Sequence, residues 1–281
     1  MRCAWQAFLN LIPPWMRQEV DKQGRDALQE LRLRLSAPPE LVTAGGTVLL
    51  HRNVTSDDLQ YCVNIASSYS PWSAATSANG YITAQGGHRL GLCGEAIISS
   101  GVMKGIRRLT SVCIRVARDF PLIAQKAADL HGSILIIGSP GSGKTTLLRD
   151  LIRQKSDAGK VVGVIDQRQE IFPCTPTGFC FPVGSRTDVL SGATKTEGIE
   201  TVLRCMSPDI LAVDEITSRE DCQALLHAGW CGIHLLATAH AGSKEDLYTR
   251  PVYKPVTESA LFDTLIVLRK DKSWSAERMC K

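Results

Sequence analysis

The sequence predicts an α/β protein: a mainly parallel sheet covered by helices, preceded by a smaller α+β domain. Three observations carry that prediction. From Ile134 onward, apolar runs (Ile134 to Ile137, Val161 to Ile165, Ile210 to Val213, Leu235 to Thr238, Leu265 to Leu268) alternate with helical stretches, as in a parallel sheet buried on both faces. Earlier in the chain the period is two: Leu31, Leu33 and Leu35 alternate with Arg32, Arg34 and Ser36, a half-buried strand with a basic outer face. Finally, 281 residues at 44% hydrophobic and 21% charged suffice for one large domain or two modest ones and exclude a small disulfide-stapled module.

In the first part, Trp5, Phe8, Leu9 and Ile12 lie on one face of a short helix closed by Pro13 and Pro14. That face packs on its own domain or docks a membrane or partner. Leu41 to Thr43 and Thr47 to Leu50 flank Gly45 and Gly46, a hairpin signal. Thr55 or Ser56 caps a helix with Asp57 and Asp58 in its first turn, where carboxylates suit the helix dipole. After Pro71 the chain turns to glycine and short β-type runs: Tyr81 to Thr83, Arg89 to Cys93 and Ala96 to Ile98. The division is expected between 1–118 and 119–281, with a helix led by Asp119 and Pro121 bridging the halves.

A formal charge of +4 excludes a disordered polyelectrolyte but hides an asymmetry. Residues 1–118 hold 13 basic and 8 acidic side chains, and no carboxylate lies between Glu95 and Asp119, where Lys104, Arg107, Arg108, Arg115 and Arg118 stand. Such a stretch suits an anionic neighbour. The ten cysteines form no C-x-x-C pair, which argues against zinc and for reduced thiols. No apolar run reaches the roughly 18 residues of a membrane span, and the start carries no export signal.

Gly138-Ser139-Pro140-Gly141-Ser142-Gly143-Lys144-Thr145, followed by Thr146, fits G-x-x-x-x-G-K-[ST] between an apolar strand and a helix. Glycines let successive N–H groups turn onto phosphate oxygens, the helix N-terminus meets their charge, and a lysine supplies a movable cation. Lys144 is expected on the β- and γ-phosphates of ATP, and the Thr145 hydroxyl on Mg²⁺. A second acidic element ends the strand Ile210 to Val213. There Asp214 would hold the magnesium through water, and Glu215, pointing to the other side of the strand, would polarise the attacking water as general base. The strand Val161 to Ile165 ends in Asp166-Gln167-Arg168-Gln169-Glu170, and another runs from His234 to His240. Both ends belong on the nucleotide side. Glu170 is a candidate for orienting water or metal, and His240 for sensing the γ-phosphate; His234 fits packing better than the site.

Phosphate loop, acidic box, acidic strand end and histidine box, in that order, resemble the secretion-type ATPases of type II and type IV systems. Closer still is the stage III sporulation protein AA family. The similar stretches are Glu30 to Arg34, His88 to Ala96, Lys104 to Arg107, Arg186 to Leu190 and Met206 to Asp209, and the resemblance covers nearly the whole chain. It implies a P-loop, RecA-like core and an ATPase of the mother cell, energising a secretion-like channel between mother cell and forespore. It also implies a homo-oligomeric, hexameric ring, a membrane-protein partner from that channel, and peripheral rather than integral membrane contact. Arg107, Arg108 and Arg115 match interdomain arginines that approach the phosphates when the domains close. Arg204 and Arg186 are further candidates.

An arginine there would stabilise charge building on the transferring phosphoryl oxygens; the alternative is a solvated basic face or a membrane-surface patch. The acidic box lacks the additional glutamate usual after its aspartate, and Thr217 stands where glycine is usual. A nucleic-acid-binding ATPase is a rival reading, but it needs aromatic stacking residues among the arginines, and none lies between Glu95 and Asp119. Nucleic acid is therefore not an expected partner. A nucleotide-gated scaffold that seldom hydrolyses ATP is a third reading, and Glu215 speaks against it.

Overall fold

The alternating leucines build β1 (Leu28–Arg34), in which Leu31 and Leu33 are fully buried. Its outward arginines are paired, Arg32 with Glu30 and Arg34 with Glu40. The computed structural model describes residues 1–68 and 80–279; Pro71 lies outside them. The chain divides into two units, Met1–Asp119 with Pro173–Phe181, and Phe120–Phe172 with Pro182–Lys281. The expected split at 118/119 thus has a second crossing. Residues 173–181, read from the sequence as part of the C-terminal domain, group with the first unit. They carry the short antiparallel pair β9 (Cys174–Thr175) and β10 (Gly178–Phe179). Gly87 comes so close that an added Cβ would lie 3.3 Å from both Pro173 and Cys180.

In the first unit, β2 (Glu40–Thr43), β3 (Gly46–Leu49), β4 (Tyr81–Thr83), β5 (Arg89–Ser99) and β6 (Val102–Arg115) join β1 in an antiparallel sheet ordered β3-β2-β1-β6-β5-β4. β5 fuses two runs that the sequence separates at Gly94. There the strand shifts register, and an added Cβ would meet the Arg108 carbonyl at 2.7 Å. Helix α1 (Trp5–Leu11) buries Phe8, Leu9 and Leu11 against this unit's core. Pro14 does not close the helical region: it opens α2 (Pro14–Ala27) at the first helical position, where its missing N–H costs nothing. Arg118 donates to the carbonyls of Arg25 and Leu28 at the end of α2. Thr55 caps α3 (Ser56–Ala66) in a reciprocal box with Asp58.

In the second unit the apolar runs become β7 (Ile134–Gly138), β8 (Val162–Asp166), β12 (Ile210–Ile216), β13 (His234–Ala239) and β14 (Thr264–Leu268). With β11 (Thr187–Ser191) and the antiparallel edge strand β15 (Trp274–Arg278), the order is β11-β8-β12-β13-β7-β14-β15. Both faces are buried. Ile134 and Ile136 belong to one apolar cluster, and Leu135 and Ile137 of the same strand to the other. The covering helices are α4 (Lys144–Asp157), α5 (Lys195–Met206), α6 (Arg219–Trp230), α7 (Lys244–Thr249) and α8 (Lys254–Glu258). The expected helix after Asp119 is instead a series of turns with one 3₁₀ turn, Gln125–Ala127. Leu122 has a φ of +69°, outside the right-handed helical region, and the buried Asp150 carboxylate holds the N–H groups of Leu122 and Ala124 at 3.0 and 2.8 Å. Among the described residues no helix is long and apolar enough to cross a membrane.

His88 is fully buried in the first unit. Its Nε2 lies 3.0 Å from the Ala4 carbonyl, and its Nδ1 accepts the Ala117 N–H at 3.1 Å. Only a neutral ring with its proton on Nε2 satisfies both partners. Burial accordingly pulls its pKa from 6.5 to about 4. Above pH 6.5 the ring is neutral folded and unfolded and contributes no pH dependence. Between 6.5 and about 4 the unfolded chain takes a proton that the folded chain refuses, so stability falls as pH falls. The expected loss is about 3 kcal/mol, read from urea unfolding across that window; His88→Gln should flatten the dependence.

Candidate nucleotide site

The loop between β7 and α4 is shaped by its glycines. Gly141 and Gly143 have φ of +73° and +104°, a region that side chains resist. At Gly138 an added Cβ would sit 2.6 Å from both the Leu268 carbonyl and Ser142 Oγ. Lys144 Nζ donates to the Gly138 and Ser139 carbonyls at 2.9 and 3.2 Å and lies 3.1 Å from His240 Nδ1. Burial pulls this ammonium below the ordinary lysine value, against the opposing effect of Asp214 and Glu215.

The end of β12 supplies both carboxylates. Asp214 accepts from Thr145 Oγ1 at 2.7 Å through one oxygen and from Thr238 Oγ1 at 2.5 Å through the other. The sequence expectation that Glu215 points to the opposite side of the strand needs correction. The β12–β13 register shifts between Val213 and Ile216, Glu215 has a φ of +49°, and Asp214 and Glu215 line one pocket. The irregularity breaks the alternation of a regular strand. Glu215 Oε1 lies 3.0 Å from His240 Nε2, and Oε2 lies 3.2 Å from Arg168. Because an ammonium only donates, His240 Nδ1 accepts from Lys144 and its Nε2–H donates to Glu215. Lysine, histidine, glutamate and arginine thus form one chain.

Asp166 closes β8 beside this chain and accepts the N–H groups of Glu170, Ile171 and Phe172. Burial raises its pKa, and those three donors oppose the rise. Glu170 lines the same pocket as Asp214 and Glu215.

The residues fit a magnesium–triphosphate. Thr145 and Asp214 bring a hydroxyl and a carboxylate to one point, the hard oxygen donors magnesium prefers. Ser142 Oγ is buried without a hydrogen-bond partner among the described residues, and the first N–H groups of α4 face the loop without intrahelical acceptors.

Among the expected site residues, the second unit brings together Gly138 to Thr146, Glu170, Asp214, Glu215 and His240 around the carboxyl ends of β7, β8, β12 and β13. Arg204 lies in the exposed last turn of α5, just before β12 begins, at the sheet edge opposite Asp214. Arg186 donates to the Gly159 carbonyl at that same far edge. His234 is exposed at the start of β13, neither packed nor in the site. Arg107, Arg108 and Arg115 belong to the first unit, where Arg107 and Arg108 pair with Glu95, and Arg115 with Glu30. Sequence reasoning missed three participants: Arg168; the buried Thr238; and the buried Lys195, which pairs with Asp221 at 3.3 Å and lines the pocket. Thr238 and Arg168 stand inside stretches already singled out, so position in the motif was their available signal.

The family model for sporulation stage III, protein AA, matches residues 8–277. The chain belongs to that family. Stage III sporulation protein AA of Bacillus subtilis is 37% identical over 265 residues, covering 90% of this chain and 86% of that protein. Among solved structures, the ATPase DotB of Legionella pneumophila superposes with a TM-score of 0.54 at 16% identity, covering 94% of this chain and 79% of DotB. The pilus retraction motor PilT with bound ADP gives 0.58 at 17%, covering 89% and 76%. This member of the sporulation family therefore has the P-loop fold of secretion and motor ATPases, as the sequence predicts.

Thr238 is the strut of the acidic end: its hydroxyl donates to Asp214 and accepts the Glu215 N–H at 2.8 Å. Thr238→Val keeps the volume and removes both bonds. The expected result is a loss of about 1–3 kcal/mol in unfolding free energy, measured by chemical denaturation.

Proposed function

We propose that this protein binds ATP with Mg²⁺ and hydrolyses it, acting as the nucleotide-driven component of a membrane machine in sporulation. The observation that carries the reading is the 2.7 Å bond from Thr145 to Asp214. It brings the hydroxyl of the phosphate loop and the carboxylate of the acidic strand end together, the two side chains that would hold a metal with the triphosphate.

In this reading Lys144 exchanges its loop carbonyls for phosphate oxygens. Thr145 and Asp214 would hold the magnesium. The metal, once bound, supplies positive charge against the developing phosphate charge. Glu215 orients the attacking water and takes its proton, and Glu170 helps to place it. His240 links Lys144 to Glu215, so that a phosphate taking the ammonium disturbs the base in the same step. Family membership and the fold shared with secretion and motor ATPases support a ring of copies, proposed as a hexamer. They also support work done in the mother cell on a membrane-protein partner of a channel to the forespore. Arg107, Arg108 or Arg115 would add charge to the phosphates on domain closure, and Arg204 would do so only from a neighbouring copy.

Lys144→Ala is expected to abolish ATP binding in equilibrium titration. Glu215→Gln should retain binding with magnesium while losing about 10²–10⁴-fold in single-turnover phosphate release. Parental turnover in Glu215→Gln would remove the general-base assignment, and no nucleotide binding by the parent chain would remove the reading altogether.

A further inference from the structure

The paired strands β5 and β6 outrun their sheet. Among the described residues β4 pairs with β5 only over Arg89–Gly91, and β1 with β6 only over Ser111–Arg115, while β5 and β6 stay paired with each other out to Ser99 and Val102. From Glu95 to the turn at Ser100 and Gly101 this ribbon extends about 16 Å, at roughly 3.3 Å per residue; Ile106, opposite Ala96, still packs against the first unit's core, whereas Ile97, Ile98 and Val102 do not belong to that cluster. Its end is aliphatic and exposed: Ile98 is 67% accessible, Val102 56% and Ile97 42%. Beyond the register shift at Ile97/Ile98 the apolar residues occupy both faces, since Ile98 pairs with Met103 and Val102 with Ser99 in the next pair, on the other side of the ribbon. Lys104 is exposed just behind this end. Further back, Arg107 and Arg108 share the single carboxylate of Glu95, so the ribbon carries a net positive charge.

We propose that this ribbon is a membrane-surface anchor, its aliphatic end entering the acyl boundary of an anionic bilayer while Lys104 meets the headgroups. A protein partner would cover one face of such a ribbon, whereas lipid surrounds an end that is apolar on both. Interfacial elements bury roughly 5–10 Å, about the distance from the turn to Ile97 and Lys104, and a basic residue at that depth is drawn to anionic lipid. The inference adds a direct lipid contact to the proposed membrane partner and stands independently of nucleotide chemistry.

The test is co-sedimentation of the full chain with vesicles of phosphatidylcholine and phosphatidylglycerol in equal parts, and with phosphatidylcholine alone. Binding to the anionic vesicles is expected, at least tenfold weaker in the double variant Ile98→Asp/Val102→Asp and about fivefold weaker in Lys104→Gln; ATP binding should be unchanged in both. Ile98→Trp serves as an independent reporter, because its added fluorescence should shift to the blue when anionic vesicles are supplied. Absence of vesicle binding by the parent chain, or binding that survives the aspartates undiminished, would overturn the anchor. So would aspartates that change the oligomeric state without any vesicle effect, which would make the ribbon a contact between copies. Loss of ATP binding by the parent would strike the nucleotide reading and leave the anchor standing.

Discussion

The site depends on one constraint: the loop after β7 must stay open to anions while being fixed against a strand two places away in the sheet. Glycines at 138, 141 and 143 permit the first, through positive φ and a backbone packed too closely for a side chain. The Thr145–Asp214–Thr238 bonds achieve the second, running from α4 across the ends of β7, β13 and β12. Parallel pairing makes this possible, since it brings the carboxyl ends of β7, β8, β12 and β13 to one edge, where ligands of such sheets bind. The apolar runs that bury these strands are therefore the reason why Gly138, Asp166, Asp214 and His240 come within reach of one another.

Much of this was legible in the sequence, for physical reasons. A strand buried on both faces has to be apolar at every position, so Ile134 to Ile137 and Ile210 to Val213 stand out. A phosphate loop needs residues that few other contexts require. Contacts that depend on local backbone distortion were not legible. Nothing in Val213-Asp214-Glu215-Ile216 marks the register shift that turns Glu215 toward the pocket shared with Asp214. Nor does any pattern reveal that Leu122 takes a positive φ, which a helix does not accommodate, or that Asp150 holds the N–H groups of Leu122 and Ala124. Pro14 reads as a stop in the sequence, and the helix it opens instead is set by the packing of Met16 and Val20 in the core.

The arginines show the same limit in electrostatic form. A stretch without carboxylates looks unpaired in sequence, yet Glu30 and Glu95 reach Arg115, Arg107 and Arg108 across the sheet. Cross-strand distance, not sequence distance, sets a charge's neighbours. These pairs are well exposed, with the Arg108 side chain 84% accessible, and exposed pairs of this kind contribute little. Giving up Glu95 for a phosphate would therefore cost little, and the two arginines on that carboxylate leave one positive charge in excess. Arg118 differs: its guanidinium is committed to the carbonyls at the end of α2, and withdrawing it would leave them without that donor.

The chain of contacts from Lys144 through His240 to Glu215 and Arg168 gives the site a logic that its separate motifs lack. Each member is held by a partner that a bound triphosphate would compete for or displace. The ammonium rests on loop carbonyls and an imidazole, and the carboxylate rests on that imidazole and a guanidinium. In the proposed reading, a phosphate drawing Lys144 away would remove the donor from His240 Nδ1 and would leave the ring held only through its contact with Glu215 Oε1. Arg168 then remains the restraint on the other oxygen. Its place just past the end of β8 puts it in the same network as Asp166 and Glu170, with which it lines one pocket. Under the proposed function, binding and activation of the base would be coupled through the side chains of a single sheet edge, because Lys144, His240, Glu215 and Arg168 are in contact in series.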